Sequence, residues 1–217
     1  MLIVRIVVVS YRRRGILSHA VLGIDPAHDP GSAPKVAFVC TANRARSPFA
    51  AAVLRDRLVT LPIEVESFGV LEQGGAPALP AAVRAAWPFG IDLAPHRAQV
   101  LRPGVLETFE LVIGFEPMHV ASSIEIGGAM PSSSFLLGEL ADVLEFDVLP
   151  WPPGSDDLAS RVAHANARRF AGSRLPRAVA DPAGGSELRF QETYEEIEEM
   201  VGLIGVRLFD VTRGRAG

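Results

Sequence analysis

Residues 36–40, VAFVC, form a short apolar run, and residues 47–59, SPFAAAVLRDRLV, carry Phe49, Val53, Leu54 and Leu58 at helical spacing. Six residues, TANRAR, 41–46, join the two. A buried strand that hands over to a helix through so short a loop constrains the fold strongly, because the helix must pack back against the sheet that holds the strand. Ser47 is placed to cap that helix, and Pro48 suits its first position, where a missing N–H costs nothing. Strand, tight loop and helix N-terminus together make a concavity of backbone N–H groups that suits an anion.

The pattern repeats downstream. IEVESF (63–68), FELVIGF (109–115) and SFLL (134–137) read as further strands. Between and after them come helical segments: LPAAVRAAWPFG, closed by Pro88 and Gly90, then a short helix beginning near Glu116, then GELADVLEF. Residues 155–170 are acidic at their start and arginine-rich at their end, as a helix dipole favours. From Ser186 to about Leu208, Phe190, Tyr194, Ile197, Val201, Ile204 and Leu208 share one helical face, and glutamates form the solvated one. Alternation of this kind predicts an α/β fold, a three-layer sandwich with a central, mainly four-stranded parallel sheet and helices on both faces. The phosphate-binding loop follows the first core strand, and ligands in such folds sit beyond the carboxyl ends of strands.

Composition narrows the class. With 217 residues, 48% of them hydrophobic, the chain can bury one sizeable core. The domain is expected at 35–212, after an N-terminal extension and linker, 1–34, in which an apolar run precedes GIDPAHDPGSAP. That run is either an extra edge strand or non-native sequence upstream of the true start. A net charge of -4 argues against a nucleic-acid surface, and YRRRG at 11–15 reads as a solvated loop. A single cysteine can form neither an intrachain disulfide nor a thiolate cluster for a metal, which points to a reducing cytoplasm. No apolar run approaches the roughly 18 residues of a membrane span. The arginine run follows the first apolar stretch rather than preceding it, which is not the order of a signal peptide.

The single cysteine, Cys40, ends the first strand. If the loop folds back with its amides inward, those amides and the helix dipole hold a dianion and favour the thiolate, the attacking form of cysteine. Thr41, Ala42, Asn43, Arg44, Ala45 and Arg46 then bind the substrate, and Arg46 adds a planar fork able to bond two phosphoryl oxygens. Asn43 is the loop residue most tolerant of a left-handed turn. Ser47 either caps the helix alone or also bonds the thiolate, and spacing leaves both open. Cleaving a phosphate ester further needs a proton for the leaving oxygen. Asp181, in RAVADPAGGSELRF, is the candidate, although Asp-Pro before Gly-Gly-Ser is also an ordinary turn into a helix.

VAFVCTANRARSPFAAAVLR resembles the phosphate-binding loop of the low-molecular-weight protein tyrosine phosphatases, and DPAGGSELRFQETYEEIEE resembles their general-acid loop and closing helix. ESFGV, GIDLAPHRAQVL and FELVIGFEPMHV resemble the intervening segments, in order, so that the likeness spans about residues 35–210. It implies phosphomonoester hydrolysis through a cysteinyl-phosphate, on protein phosphotyrosine or another aryl phosphate, with no metal and no cofactor. It makes Cys40 the nucleophile, Arg46 the phosphoryl clamp, and Asp181 the acid that protonates the leaving phenol and then activates water. Asn43, Ser47, Ser67 and His96 match positions that brace the loop by hydrogen bonds. Three departures stand out. Ala183 and Gly184 replace aromatic residues that wall the substrate ring in many members, which puts tyrosine selectivity in doubt; Ala45 replaces a second loop cysteine, so no protective disulfide can form there. The stretch from Glu116 to Asp181 is also longer, chiefly through the 155–170 helix, which could rest over the site or bind a partner. The same loop would suit a single-cysteine arsenate reductase using an external thiol, or a phosphate-binding module without turnover, but Arg-Ser-Pro at 46–48 resembles the phosphatase form. Should Asp181 only shape its loop, Glu116 is the next carboxylate.

Overall fold

The computed structural model describes residues 33–146, 151–169 and 177–210, so the readings of residues 1–32 lie outside it. Four strands, β1 (Lys35–Cys40), β2 (Glu64–Gly69), β3 (Leu111–Gly114) and β4 (Ser134–Leu136), form one sheet in the order β2-β1-β3-β4. Every neighbouring pair is parallel, with Phe38 opposite Ser67 on one side and Ile113 on the other. The chain therefore steps from β1 outward to β2, then returns across β1 to β3. That reversal opens a crevice beyond the carboxyl end of β1, where residues 41–46 lie.

Side chains of β1 alternate between two apolar layers, as a strand covered on both faces must. Val36, Phe38 and Cys40 join the layer built with α1 (Arg46–Arg57), α4 (Leu137–Phe146) and α6 (Glu187–Phe209). Ala37 and Val39 face the other way, with Phe68, Leu101, Leu106, Phe109 and Val112. α3 (Pro117–Glu125) packs on β3, β4 and β1. The sandwich is the one that the alternation of strands and helices predicts.

α6 is the longest helix among the described residues. It packs against α1, α4 and the short α2 (Pro80–Ala86), and it buries all six residues that periodicity places on its inner face. Its Tyr194 ring stacks on Phe49 of α1 with centroids 3.8 Å apart, and its hydroxyl donates to the Ala45 carbonyl at 3.1 Å. The closing helix thus grips the end of the loop after β1 and the start of α1 directly. α5 (Leu158–Arg168) starts later than its acidic lead-in suggests, because the Asp157 carboxylate accepts the Ser160 N–H at 2.7 Å and serves as its cap. α5 packs on α4, α6 and the turn at 131–133. No described helix is long and apolar enough to cross a membrane.

Candidate active site

The loop after β1 turns at Asn43, whose φ of 53° lies in the left-handed region that Asn tolerates best among residues with a side chain. Three hydrogen bonds hold that turn. The Gln99 N–H donates to Asn43 Oδ1 at 2.7 Å, Asn43 Nδ2 donates to Ser47 Oγ at 2.9 Å, and His96 Nε2 donates to the Asn43 carbonyl at 2.7 Å. Burial lowers the His96 pKa, which keeps the ring neutral. Gly69, at the end of β2, permits the close approach: a Cβ there would lie 2.7 Å from the Ala42 carbonyl carbon and 2.8 Å from the Asn43 nitrogen. Asn43 and His96 thus hold the turn by hydrogen bonds. Ser67 is buried beside it, but among the described residues no hydrogen bond joins its hydroxyl to the loop.

Cys40 is 3% exposed, and two polar groups reach its sulfur. The Asn43 N–H points at Sγ from 3.3 Å, and Ser47 Oγ lies 3.0 Å away. Polarity along this chain is fixed by its far end. Because a backbone N–H can only donate, Oδ1 of Asn43 faces Gln99 and Nδ2 faces Ser47, so Ser47 keeps its own hydrogen for Sγ or for the Phe68 carbonyl at 3.3 Å. Ser47 is not the helix cap. α1 begins at Arg46, Ala45 occupies the cap position without a side-chain bond, and Pro48 is the third helical residue, still in the turn whose amides lack intrahelical acceptors. The amides of Ala42, Arg44 and Ala45 also have no acceptor among the described residues.

Arg46 is 1% exposed and gathers the rest of the site around its guanidinium. Nη1 donates to the Glu116 carboxylate and to the Val179 carbonyl at 2.9 Å. Nη2 donates to Thr41 Oγ1 at 3.1 Å and to Asp181 Oδ2 at 2.7 Å. Both Asp181 oxygens are engaged: Oδ1 accepts the Ala183 N–H at 3.0 Å and makes the turn, while Oδ2 accepts from Arg46. Arg44 points elsewhere, to the Pro77 carbonyl at 2.7 Å and to Gln73. Its side chain anchors the rim of the loop. No group of three or more His, Cys, Asp or Glu side chains is arranged to hold a metal ion among the described residues.

His119 is a site residue that spacing alone does not single out. It lies fully buried in the first turn of α3, accepts the Glu116 N–H on Nδ1 at 3.1 Å, and places Nε2 3.0 Å from Thr41 Oγ1. Burial first, and the Arg46 charge second, push its pKa down to about 4, while Glu116 and Asp181 pull the other way. A histidine held neutral in the fold and titrating near 6.5 in the open chain stabilises the protein above pH 6.5. That stability is lost as pH falls from 6.5 toward 4, by about 2 kcal/mol at pH 5, and His96 adds in the same sense. Thermal melts should therefore show a lower Tm at pH 5 than at pH 7, with a smaller difference in His119→Phe. An equal difference in that variant would remove His119 as a source of the acid sensitivity.

A cysteine at the end of a central parallel strand, an amide-lined loop, and an arginine that returns over the loop define the class of α/β proteins built around a Cys-x5-Arg oxyanion site. The family model described as low molecular weight phosphotyrosine protein phosphatase matches residues 35–145, and the chain belongs to that family. A probable low molecular weight protein-tyrosine-phosphatase, EpsP of Ralstonia solanacearum, is 34% identical over 113 residues, which are 52% of this chain and 74% of that one. Among solved structures, a low molecular weight protein tyrosine phosphatase from T. tengcongensis is similar with a TM-score of 0.58 and 24% identity, over 79% of this chain and 97% of that one. The YwlE arginine phosphatase from Geobacillus stearothermophilus has a TM-score of 0.60 at 24% identity, over 81% of this chain and 92% of its own.

Proposed function

We propose that the chain is a cysteine-dependent phosphatase that hydrolyses aryl phosphomonoesters, protein phosphotyrosine among them. The observation that carries this reading is the Cys40 sulfur, met by the Asn43 N–H and adjoined by the Ser47 hydroxyl, in a loop whose Ala42, Arg44 and Ala45 amides have no acceptor among the described residues and which is closed by an arginine that also holds Asp181. Sγ attacks phosphorus as the bond to the leaving oxygen breaks, and Asp181 gives that oxygen its proton. Asp181 then takes a proton from the water that attacks the cysteinyl-phosphate, and inorganic phosphate leaves with the thiolate restored. Four of the five Arg46 N–H groups are engaged within the protein, so a two-oxygen clamp must release at least one. Asp181 is the partner that the mechanism requires to leave, which carries its carboxyl from the guanidinium to the leaving oxygen as substrate arrives.

The exposed Leu71 and Met118 favour an apolar leaving group. The Leu71 N–H bonds the Thr41 carbonyl at 2.8 Å, and Met118 adjoins His119, so both flank the Thr41 side of the loop. We assign the activity to residues 35–212 and to a reducing cytoplasm, where a lone buried thiol persists. Hydrolysis of phosphotyrosine with chelator present tests the reading, and thiol-dependent arsenate reduction without ester cleavage would replace it.

Asp181→Asn separates the acid from the rest of the machinery. Proton delivery contributes typically 10²–10⁴-fold and matters most for a poor leaving group. The variant should lose about that much on phenyl phosphate and much less on an activated nitrophenyl ester. Equal losses on both would leave Asp181 as a loop former and direct attention to Glu116.

A further inference from the structure

Thr41 stands where two donors meet. The Glu116 N–H can only donate, so Nδ1 of His119 carries no hydrogen, and the neutral ring keeps its hydrogen on Nε2. Nε2–H therefore donates to Thr41 Oγ1 at 3.0 Å. Arg46 Nη2, which cannot accept, donates to the same oxygen at 3.1 Å. Both lone pairs of the hydroxyl are thereby taken, and its own hydrogen is the one bonding function it has left. Thr41 is half-buried, and the Nη2 that it shares with Asp181 Oδ2 belongs to the guanidinium that closes the loop.

We propose that the Thr41 side chain is itself a phosphoryl-binding group, whose O–H donates to the oxygen that Arg46 Nη2 takes up when Asp181 leaves. His119 is the positioning residue. Its tautomer decides the sign of the interaction: with the hydrogen on Nδ1, the hydroxyl would donate to Nε2 and turn a lone pair toward the phosphoryl oxygen. The assignment rests on the phosphatase reading and adds to the backbone amides a donor supplied by a side chain.

Binding of inorganic phosphate to the full chain, by calorimetry and as competitive inhibition of nitrophenyl phosphate hydrolysis, tests it. Thr41→Val keeps the shape and removes the hydroxyl, and should weaken phosphate about tenfold or more, the range for a hydrogen bond to a charged group. Thr41→Ser should stay within about threefold, because it restores the donor. His119→Phe should weaken phosphate in the same direction, yet add nothing in the Thr41→Val background, since it acts through that hydroxyl. Should His119→Phe fail to fold, the contrast between Thr41→Val and Thr41→Ser decides alone. Phosphate affinity in Thr41→Val within about twofold of the parent, or losses in the two positions that add in full, would overturn the proposal. A parent chain that neither binds phosphate nor cleaves aryl phosphates overturns the phosphatase reading with it, whereas tight parental binding that Thr41→Val leaves unchanged overturns this assignment alone.

Discussion

Cys40→Ser is expected to lower kcat on an aryl phosphate by about 10⁴-fold or more while inorganic phosphate still binds. In the proposed mechanism the sulfur is the loop atom that bonds phosphorus, and neither group within hydrogen-bond reach of it is a base. The Asn43 N–H and the Ser47 hydroxyl stabilise an anion at that position, but neither can deprotonate a serine. A serine hydroxyl there meets no general base, and its alkoxide is far less accessible than a thiolate. The anion site does not depend on the sulfur. The amides of Ala42, Arg44 and Ala45 and the Arg46 guanidinium remain, so phosphate affinity by calorimetry should change only a few-fold. Turnover within tenfold of the parent would remove Cys40 from the nucleophile role. Loss of turnover together with loss of phosphate binding would mean that the thiol holds the loop together.

The part of this site that is contiguous in the chain is legible in the sequence. β1, the loop and α1 follow from an apolar run, six polar or small residues and a helical period, and those signals need no distant partner. α6 is legible for the same reason, since six residues at one period define its buried face. What comes from distant segments is not. Arg46 and Asp181 stand 135 residues apart and meet at 2.7 Å; no local pattern encodes that, and only the likeness to a known family joins them. Ser47 is misread as a cap because its residue type suits one. The helix in fact starts two residues earlier, at Arg46, and the hydroxyl turns inward to the thiol. Ser67 resembles a brace, yet the bond in that region goes to the carbonyl of its neighbour, Phe68.

His119 and Gly69 carry signals that a closer reading could use. Glu116 and His119 stand three residues apart directly after a strand, the spacing of a capping box, and the structure makes both of its bonds. A glycine closing a buried strand suggests close approach of another backbone, and Gly69 meets the loop at Ala42 and Asn43. Neither signal tells from sequence that the residue lies against the loop at 41–46. That depends on the parallel pairing of β1 with β3, which brings the start of α3 beside the phosphate loop. Register across the sheet, not residue type, turns an ordinary buried histidine into a neighbour of Thr41.

Arg46→Lys should lower kcat/KM by about 10³-fold although the charge is retained. The guanidinium does two jobs with one planar group. In the proposed mechanism it closes the anion site, and it holds the Val179 carbonyl and Asp181, and thus the loop that would carry the acid. A lysine brings three hydrogens on one nitrogen at the end of a flexible stem, which cannot address Glu116, Val179, Thr41 and Asp181 from two nitrogens of a fixed fork. The phosphoryl group loses its two-oxygen clamp, and the acid loses the contact that sets its starting position. The two losses can be separated kinetically. If Arg46 also positions Asp181, then Asp181→Asn costs less in the Arg46→Lys background than in the parent, because the acid is already misplaced. Full additivity of the two substitutions would confine Arg46 to anion binding. Near-parental kinetics in Arg46→Lys would mean that a point charge suffices and that the fork geometry around Asp181 has no part in turnover.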